Sequence, residues 1–183
     1  MKMNIANKLT ILRVCLVPVF VVVFMTNLLP SPWNRYIAFL IFAFASYTDH
    51  LDGHLARSRG LVTNFGKFMD PLADKLLVVS ALICFVETGE MAAWIVIILV
   101  AREFIISGFR LVAAAQGVVI AAGIWGKAKT VVQMIMTLAV ILGLPYGWYG
   151  VVVAVLTYAS VALTVISVVD YIWKNRSVLK EAD

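Results

Sequence analysis

Four aspartates at short, regular spacing are the residues whose type and placement point most directly to chemistry. Asp49 and Asp52 are three residues apart, and Asp70 and Asp74 are four apart. These spacings put each pair on one face of a helix. Four carboxylates that converge at low dielectric repel one another strongly, so the pattern predicts neutralisation by divalent cations. Oxygen ligands favour Mg²⁺, Mn²⁺ or Ca²⁺ over zinc, and two such ions would clamp a phosphate or diphosphate.

Small and basic residues accompany the two acidic pairs. Gly53 and Ala56 share the face of the first pair within about 40° at 100° per residue, so a ligand or a facing helix can approach closely there. Gly66 extends the second pair into a stripe with a repeat of four residues. Arg57 brings a cation that is suited to bidentate phosphate contact. The pattern therefore predicts a site for a phosphorylated ligand.

Other polar residues nearby leave more than one interpretation open. The four aspartates could instead join helices through polar pairing, but they outnumber the nearby cations. His50 and His54 have a zinc-like spacing of four, yet they lie roughly 100° to 140° around the helix from Asp49. We therefore expect them to pack or to contact a headgroup. Lys75 could extend to the interface or pair with an acid, and its role stays open.

The composition identifies the environment in which this chemistry would take place. The chain has 183 residues, of which 63% are hydrophobic and only 14% charged. Such a composition excludes an ordinary soluble domain, a disordered chain and a fibrous repeat, and continuous apolar runs argue against a porin-type barrel. The net charge of +5 has no basic and aromatic platform beside it, which excludes nucleic acid as a partner. Cys15 and Cys84 lie in apolar stretches and are predicted core residues.

Long apolar runs predict an all-α integral membrane protein with six transmembrane helices in a single domain over residues 1–183. A short amphipathic helix at the membrane interface is predicted for residues 1–10. The six runs are residues 11–29, 36–56, 68–86, 92–115, 126–144 and 151–173.

Positive charge predicts the orientation of these spans. Eleven lysines and arginines would lie on one side of the membrane, whereas Arg35 would lie alone on the other, with Glu87 and Glu90. Both termini and the loop around residues 57–67 are therefore expected in the cytoplasm. The eleven are Lys2, Lys8, Arg13, Arg57, Arg59, Lys67, Lys127, Lys129, Lys174, Arg176 and Lys180.

The two acidic pairs and the residues between them spell D-x2-D-G-x2-A-R-x8-G-x3-D-x3-D over residues 49–74. This pattern resembles the signature of the CDP-alcohol phosphatidyltransferase family at all eight fixed positions. The similarity continues in residues 101–110 and 126–130. It also includes the first residues of the chain, among them Asn4, Asn7, Leu9, Thr10, Arg13 and Pro18.

The resemblance implies the fold of that family, usually as a homodimer in the bacterial cell membrane, with a cavity that faces the cytoplasm. It implies transfer of the phosphatidyl group from CDP-diacylglycerol to sn-glycerol 3-phosphate with release of CMP. Two divalent cations, Mg²⁺ or Mn²⁺, would be held by Asp49, Asp52 and Asp70, with Asp74 beside them as the base. The cytidine diphosphate would be held by Gly53, Arg57 and Gly66, next to Ala56. Direct displacement is expected, because no residue of the motif is an evident nucleophile activated by its own base.

Candidate residues outside the motif would complete the binding of both substrates. Asn7, Thr10 and Arg13 either contact the donor or merely cap and anchor an interfacial helix. The dianionic phosphate of the acceptor requires cations, and Arg110 is the first candidate, followed by Lys127 and Lys129. Arg102 is a further candidate, unless it forms a structural pair with Glu103.

Two alternative functions stay open at this point. Within the same family, the acceptor could be another molecule such as inositol phosphate. In a different class of protein, intramembrane carboxylates also mark small ion-coupled transporters.

Overall fold

A computed structural model of the protein describes residues 5–26, 28–58, 64–118, 120–121 and 123–176. In this part of the chain, six α-helices are joined by turns and there is no strand. Each predicted apolar run corresponds to one helix. The helices are α1 (Ile5–Met25), α2 (Trp33–Ser58), α3 (Asn64–Glu87), α4 (Ala93–Ala115), α5 (Ile124–Leu142) and α6 (Gly147–Lys174).

Three of these helices are long and apolar enough to cross a membrane. They contain the spans Lys8–Met25, Ile124–Leu142 and Gly147–Lys174, which belong to α1, α5 and α6. The prediction of an all-helical membrane protein is therefore confirmed, and the count of six spans stays a prediction. Both cysteines are free; Cys84 is buried as predicted, whereas Cys15 is exposed, so its prediction as a core residue is wrong.

The predicted interfacial helix is not a separate element. Residues 5–10 form the first turns of α1, which continues without a break to Met25. No glycine or proline interrupts the chain before Pro18, so the backbone hydrogen bonds of the helix continue from the polar start into the apolar run. Residues 1–4, which complete the predicted segment, lie outside the described residues.

The chain divides into two compact units, and the first contains residues 1–90 and 137–143. In this unit α1 packs against α2 and α3, which also contact each other. Phe20 and Phe42 have ring centroids 5.6 Å apart, and Phe24 and Phe85 have theirs 5.7 Å apart. Phe24 also lies beneath the guanidinium of Arg35, near the start of α2. Phe20 contacts Phe42, whereas Phe24, which comes later in α1, contacts Arg35, which comes earlier in α2. The two helices are therefore antiparallel.

Arg35 connects several elements of the first unit. Its side chain forms an ion pair with Glu90 and donates a hydrogen bond to the Val140 carbonyl at 3.2 Å. Gly143 has a positive φ of 52°, and a Cβ atom at this position would overlap the Arg35 guanidinium. The one cation predicted for the outer side of the membrane is therefore paired and packed within the protein.

The second unit contains residues 91–136 and 144–183, and in it α4 packs against α6. Arg102 contacts Ser167, and Phe109 contacts Tyr171, so the two helices run parallel. The buried face of α6 is largely polar. Hydroxyl-bearing residues recur along it at spacings of three and four: Thr157, Ser160, Thr164, Ser167 and Tyr171. Small hydroxyl side chains allow close approach between helices in a membrane.

Candidate functional site

The motif positions of α2 continue the buried stripe of that helix. Ala38, Phe42 and Ala45 are fully buried, and their spacing is four and then three. Positions 49, 52 and 56 continue the same series in steps of four, three and four. At 100° per residue, positions 38 and 56 are about five full turns apart and share one direction around the helix axis. The acidic pair of α2 is thus in register with the face that packs inside the first unit.

The motif positions of α3 also fall within the buried sector of their helix. Ala73, Leu77, Ala81 and Phe85 are all buried and span about 120° around the axis. Measured from Ala73 in the same direction, positions 66, 70 and 74 lie at about 20°, 60° and 100°. The structure therefore brings two packed helices together, each with its motif positions in the register of its buried face.

The side chains of the motif lie outside the described residues, so the predicted convergence of the four carboxylates stays a prediction. The same applies to the side chain of Asn7 and to His50 and His54. Among the side chains that are described, no group of three or more His, Cys, Asp or Glu residues could hold a metal ion. The motif side chains in question are those of Asp49, Asp52, Gly53, Ala56, Arg57, Gly66, Asp70 and Asp74.

Thr10 and Arg13 lie on the buried face of α1. Both residues have 0% exposure, and with Val17, Phe20 and Phe24 they form a buried stripe in steps of three and four. Since the phenylalanines of this stripe pack against α2 and α3, the stripe is the face of α1 that meets the two motif helices. Residues that only anchor a helix at the membrane surface would be exposed, so burial favours a role inside the unit.

A cluster of charged side chains lies in the second unit, between α4, α5 and α6. Glu103 Oε1 accepts a hydrogen bond from Arg102 Nη1 at 3.0 Å and also pairs with Lys129 Nζ. Arg102 Nε donates to Ser167 Oγ at 3.1 Å. Arg102 is 9% exposed and Lys129 only 1%. The Arg102–Glu103 pair considered from the sequence therefore exists, and it includes a lysine from the next helix.

The shared carboxylate lets two cations lie close together. Because both nitrogens contact one oxygen, they are separated by at most about 6 Å. At an effective dielectric constant of about 20, two unit charges at that distance repel by roughly 3 kcal/mol. Glu103 offsets this repulsion and so stabilises a concentration of positive charge inside the protein.

The remaining predicted acceptor residues, Arg110 and Lys127, are both exposed. Arg110 is exposed, and its guanidinium carbon is 5.9 Å from the ring centroid of Tyr171. Lys127 is exposed as well, since two residues on a helix are about 200° apart and Lys129 takes the buried face. The structure thus brings together Arg102 and Lys129, while Arg110 stands about 12 Å further along α4 than Arg102.

Sequence reasoning missed Ser167 entirely and left the role of Glu103 open. The signal for Ser167 was the series of hydroxyl residues in α6, which recur in steps of three and four within an otherwise apolar helix. Lys75, whose role was also left open, is half-buried on α3.

Comparison with known proteins gives one family for nearly the whole chain. The family model for CDP-alcohol phosphatidyltransferase matches residues 3–166. A Bacillus subtilis protein named CDP-diacylglycerol--glycerol-3-phosphate 3-phosphatidyltransferase is 42% identical, with 98% of this chain and 99% of that protein covered.

A Haemophilus influenzae protein of the same name is 41% identical over 94% of this chain and 93% of its own length. A probable phosphatidylglycerophosphate synthase from Mycobacterium tuberculosis is 40% identical over 92% of this chain and 80% of its own. The acidic motif on packed helices and these full-length similarities lead to one conclusion: the chain belongs to the CDP-alcohol phosphatidyltransferase family.

Proposed function

We propose that this protein transfers the phosphatidyl group of CDP-diacylglycerol to sn-glycerol 3-phosphate and releases CMP. The observation that supports the proposal is the helix register: the motif positions of α2 and α3 continue the spacing of the buried residues of two packed helices. The acceptor follows from the names of relatives that are 41–42% identical over almost their whole length. In this proposal the helices cross the bacterial cell membrane six times, the motif faces the cytoplasm, and two chains form a homodimer.

The residues of the motif fit a pair of divalent cations. Four aspartates supply only oxygen donors, which are the ligands that Mg²⁺ and Mn²⁺ prefer. Asp49, Asp52 and Asp70 would hold the ions, with Asp74 beside them. When bound, the ions supply positive charge that offsets the charge of the diphosphate and of the leaving CMP.

The protein's own residues hold the substrates and move one proton. Asp74 accepts the proton of the C1 hydroxyl of glycerol 3-phosphate. The C1 oxygen forms a bond to the phosphorus that carries diacylglycerol, and the bond from that phosphorus to the bridging oxygen of CMP breaks. The donor is held by Gly53, Ala56, Arg57 and Gly66, together with Asn7, Thr10 and Arg13. The acceptor phosphate is held by Arg102 and Lys129, with Arg110 and Lys127 as outer contacts.

An assay of CMP release with purified protein tests this function directly. CDP-diacylglycerol is offered with sn-glycerol 3-phosphate, inositol phosphate, serine or glycerol, and the lipid product is identified by mass spectrometry. We expect the fastest turnover with glycerol 3-phosphate. We also expect EDTA to abolish turnover, and Mg²⁺ or Mn²⁺ to restore it.

Two results would contradict the proposal. Faster turnover with inositol phosphate would identify a different acceptor within the family. An absence of CMP release with every acceptor, together with cation-coupled uptake into vesicles that contain the protein, would favour the transporter alternative. Ping-pong kinetics would contradict direct displacement while leaving the overall reaction in place.

A further inference from the structure

The Arg102 guanidinium is held in one orientation by contacts on two of its edges. Its Nε donates to Ser167 Oγ, and its Nη1 donates to Glu103 Oε1. The Ser167 hydroxyl in turn donates its single hydrogen to the Thr164 carbonyl at 2.9 Å, which leaves a lone pair directed at Arg102. Ser167 and Glu103 each accept a hydrogen bond from Arg102, and together they fix the plane of the guanidinium.

The third edge of the guanidinium lies against α5. A Cβ atom at Gly126 would be 3.1 Å from Arg102 Nη2, so the glycine permits an approach that a larger residue would obstruct. Nη2 makes no hydrogen bond within the part of the chain that the structure describes. Lys129, one turn further along α5, reaches the same Glu103 oxygen as Nη1. An ammonium and a guanidinium edge therefore lie side by side, as two donors that suit the oxygens of one phosphate.

We infer that Glu103 and Ser167 are positioning residues that orient Arg102 and Lys129 towards the phosphate of the acceptor. This inference rests on the proposed function, because it takes glycerol 3-phosphate as the acceptor. Glu103 does not itself bind the phosphate, which it would repel. It holds two cations close enough to bind one phosphate together, and Ser167 fixes the direction of one of them.

Steady-state kinetics of Glu103→Gln, measured separately for each substrate, test the inference. The amide keeps the size of the side chain but loses the charge that holds the two cations together. We expect the KM for glycerol 3-phosphate to rise about tenfold and the KM for CDP-diacylglycerol to change less than about twofold. Glu90→Gln is the matched control, because Glu90 also pairs with an arginine and both glutamate side chains are 23% exposed.

The control separates positioning from a general loss of stability. Glu90→Gln should lower the melting temperature and leave both KM values within about twofold of the unsubstituted protein. An equal rise in both KM values for Glu103→Gln, or an unchanged KM for glycerol 3-phosphate, would overturn the inference. If the unsubstituted protein does not use glycerol 3-phosphate at all, the proposed function fails instead, and the two failures are distinguishable.

Ser167 provides a second and milder test that avoids removal of a charge. Ser167→Ala deletes the oxygen that accepts from Arg102 Nε, whereas Ser167→Thr retains it. We expect the alanine variant to raise the KM for glycerol 3-phosphate about threefold and the threonine variant to restore the original value. Identical KM values in the alanine and threonine variants would contradict a positioning role for the hydroxyl.

Discussion

At the scale of single residues, burial distinguishes the polar side chains that stand inside the protein from those on its surface. Arg13 and Lys129 have 0% and 1% exposure, whereas Arg110 and Lys127 are exposed. Water screens a buried cation less than an exposed one, so a buried cation attracts an anion more strongly and is a candidate for contact with an anionic substrate. Arg13 in the first unit and Arg102 with Lys129 in the second are the best such candidates.

The aspartates of the motif are expected to be essential. Asp70→Asn removes a charged oxygen ligand while keeping the size of the side chain, and CMP release should fall by about 100-fold or more because cation binding is impaired. Asp170→Asn is the matched control, since Asp170 pairs with the exposed Lys174 at 2.7 Å and lies outside the motif. Its activity should stay within about twofold of the original. Comparable activity in the two variants would exclude Asp70 from the site.

Arg13 is expected to contact the donor substrate. Arg13→Gln should raise the KM for CDP-diacylglycerol about tenfold, because a hydrogen bond to a charged group contributes about 1.5–3 kcal/mol. The KM for glycerol 3-phosphate should change much less. Arg176→Gln is the control, since Arg176 is exposed and packs on the Trp173 ring, 5.4 Å from its centroid. A rise in both KM values would assign Arg13 a structural role.

At the scale of helices, α1 combines two functions along one buried stripe. Its first turns contribute Thr10 and Arg13, and its later turns contribute Phe20 and Phe24. The phenylalanines pack against α2 and α3, so the position of the polar turns is fixed by the aromatic ones. The helix therefore connects the packing of the first unit to the placement of its buried cation.

The aromatic contact between α1 and α2 should be a main source of stability. Phe20→Ala would leave a cavity beside Phe42, with an expected loss of about 3–5 kcal/mol in the free energy of unfolding. Val19→Ala is the control, because Val19 is 46% exposed on the opposite side of α1. Melting temperatures in detergent should fall strongly for the first variant and little for the second. An equal fall in melting temperature for both variants would show that the buried stripe of α1 contributes no more to stability than the exposed side of the helix.

Gly143 should not tolerate a side chain. Its positive φ is unfavourable for other residues, and a Cβ atom would displace Arg35 from its pairing with Glu90. We expect Gly143→Ala to destabilise the protein by at least about 1–3 kcal/mol. Gly150→Ala is the matched control in α6, because a Cβ atom there meets nothing within 4 Å. A melting temperature unchanged by Gly143→Ala would contradict the packing at Arg35.

The sequence predicted the six long helices, because apolar runs are a local property, but it added a separate interfacial helix that the structure merges into α1. It also misjudged where α2 ends and where α3 begins. The apolar runs stop at residue 56 and start at residue 68, whereas the helices reach Ser58 and begin at Asn64. Helical hydrogen bonds can continue through polar turns beyond an apolar run.

Contacts between distant parts of the chain escaped prediction. Arg35 and Glu90 are 55 residues apart, and Arg102 and Ser167 are 65 apart. No local pattern encodes such pairs, because they depend on which helices become neighbours. The same limit applied to the acceptor residues: the spacing puts Lys127 and Lys129 about 200° apart on α5, but it did not show which of the two faces the interior.

At the scale of the whole molecule, the distribution of charge predicts how the protein lies in the membrane. Eleven of its cations were assigned to one side and Arg35 to the other, where Arg35 pairs with Glu90. The charge rule for topology counts lysines and arginines on each side, and an excess of eleven over one predicts the orientation whether or not Arg35 is paired.

Labelling of single cysteines from outside the cell tests this orientation. In a variant without Cys15 and Cys84, Thr88→Cys places a thiol in the turn after α3, and Asn175→Cys places one after α6. A membrane-impermeant maleimide should label position 88 in intact cells and position 175 only after permeabilisation. Activity of each variant confirms that it is folded. The reverse pattern would place the motif outside the cytoplasm.

The polar face of α6 has a consequence for how the chain enters the bilayer during synthesis. The Thr157 hydroxyl donates to the Val153 carbonyl at 2.8 Å, and the Ser167 hydroxyl donates to the Thr164 carbonyl. These bonds lie within the helix and need no neighbour, so they lower the cost of exposing hydroxyl groups to lipid. The hydroxyls of Thr157 and Ser167 are therefore satisfied before α6 docks on α4, whereas those of Ser160, Thr164 and Tyr171 make no hydrogen bond with the described residues. Ser167 would then accept the Arg102 hydrogen bond without giving up its own.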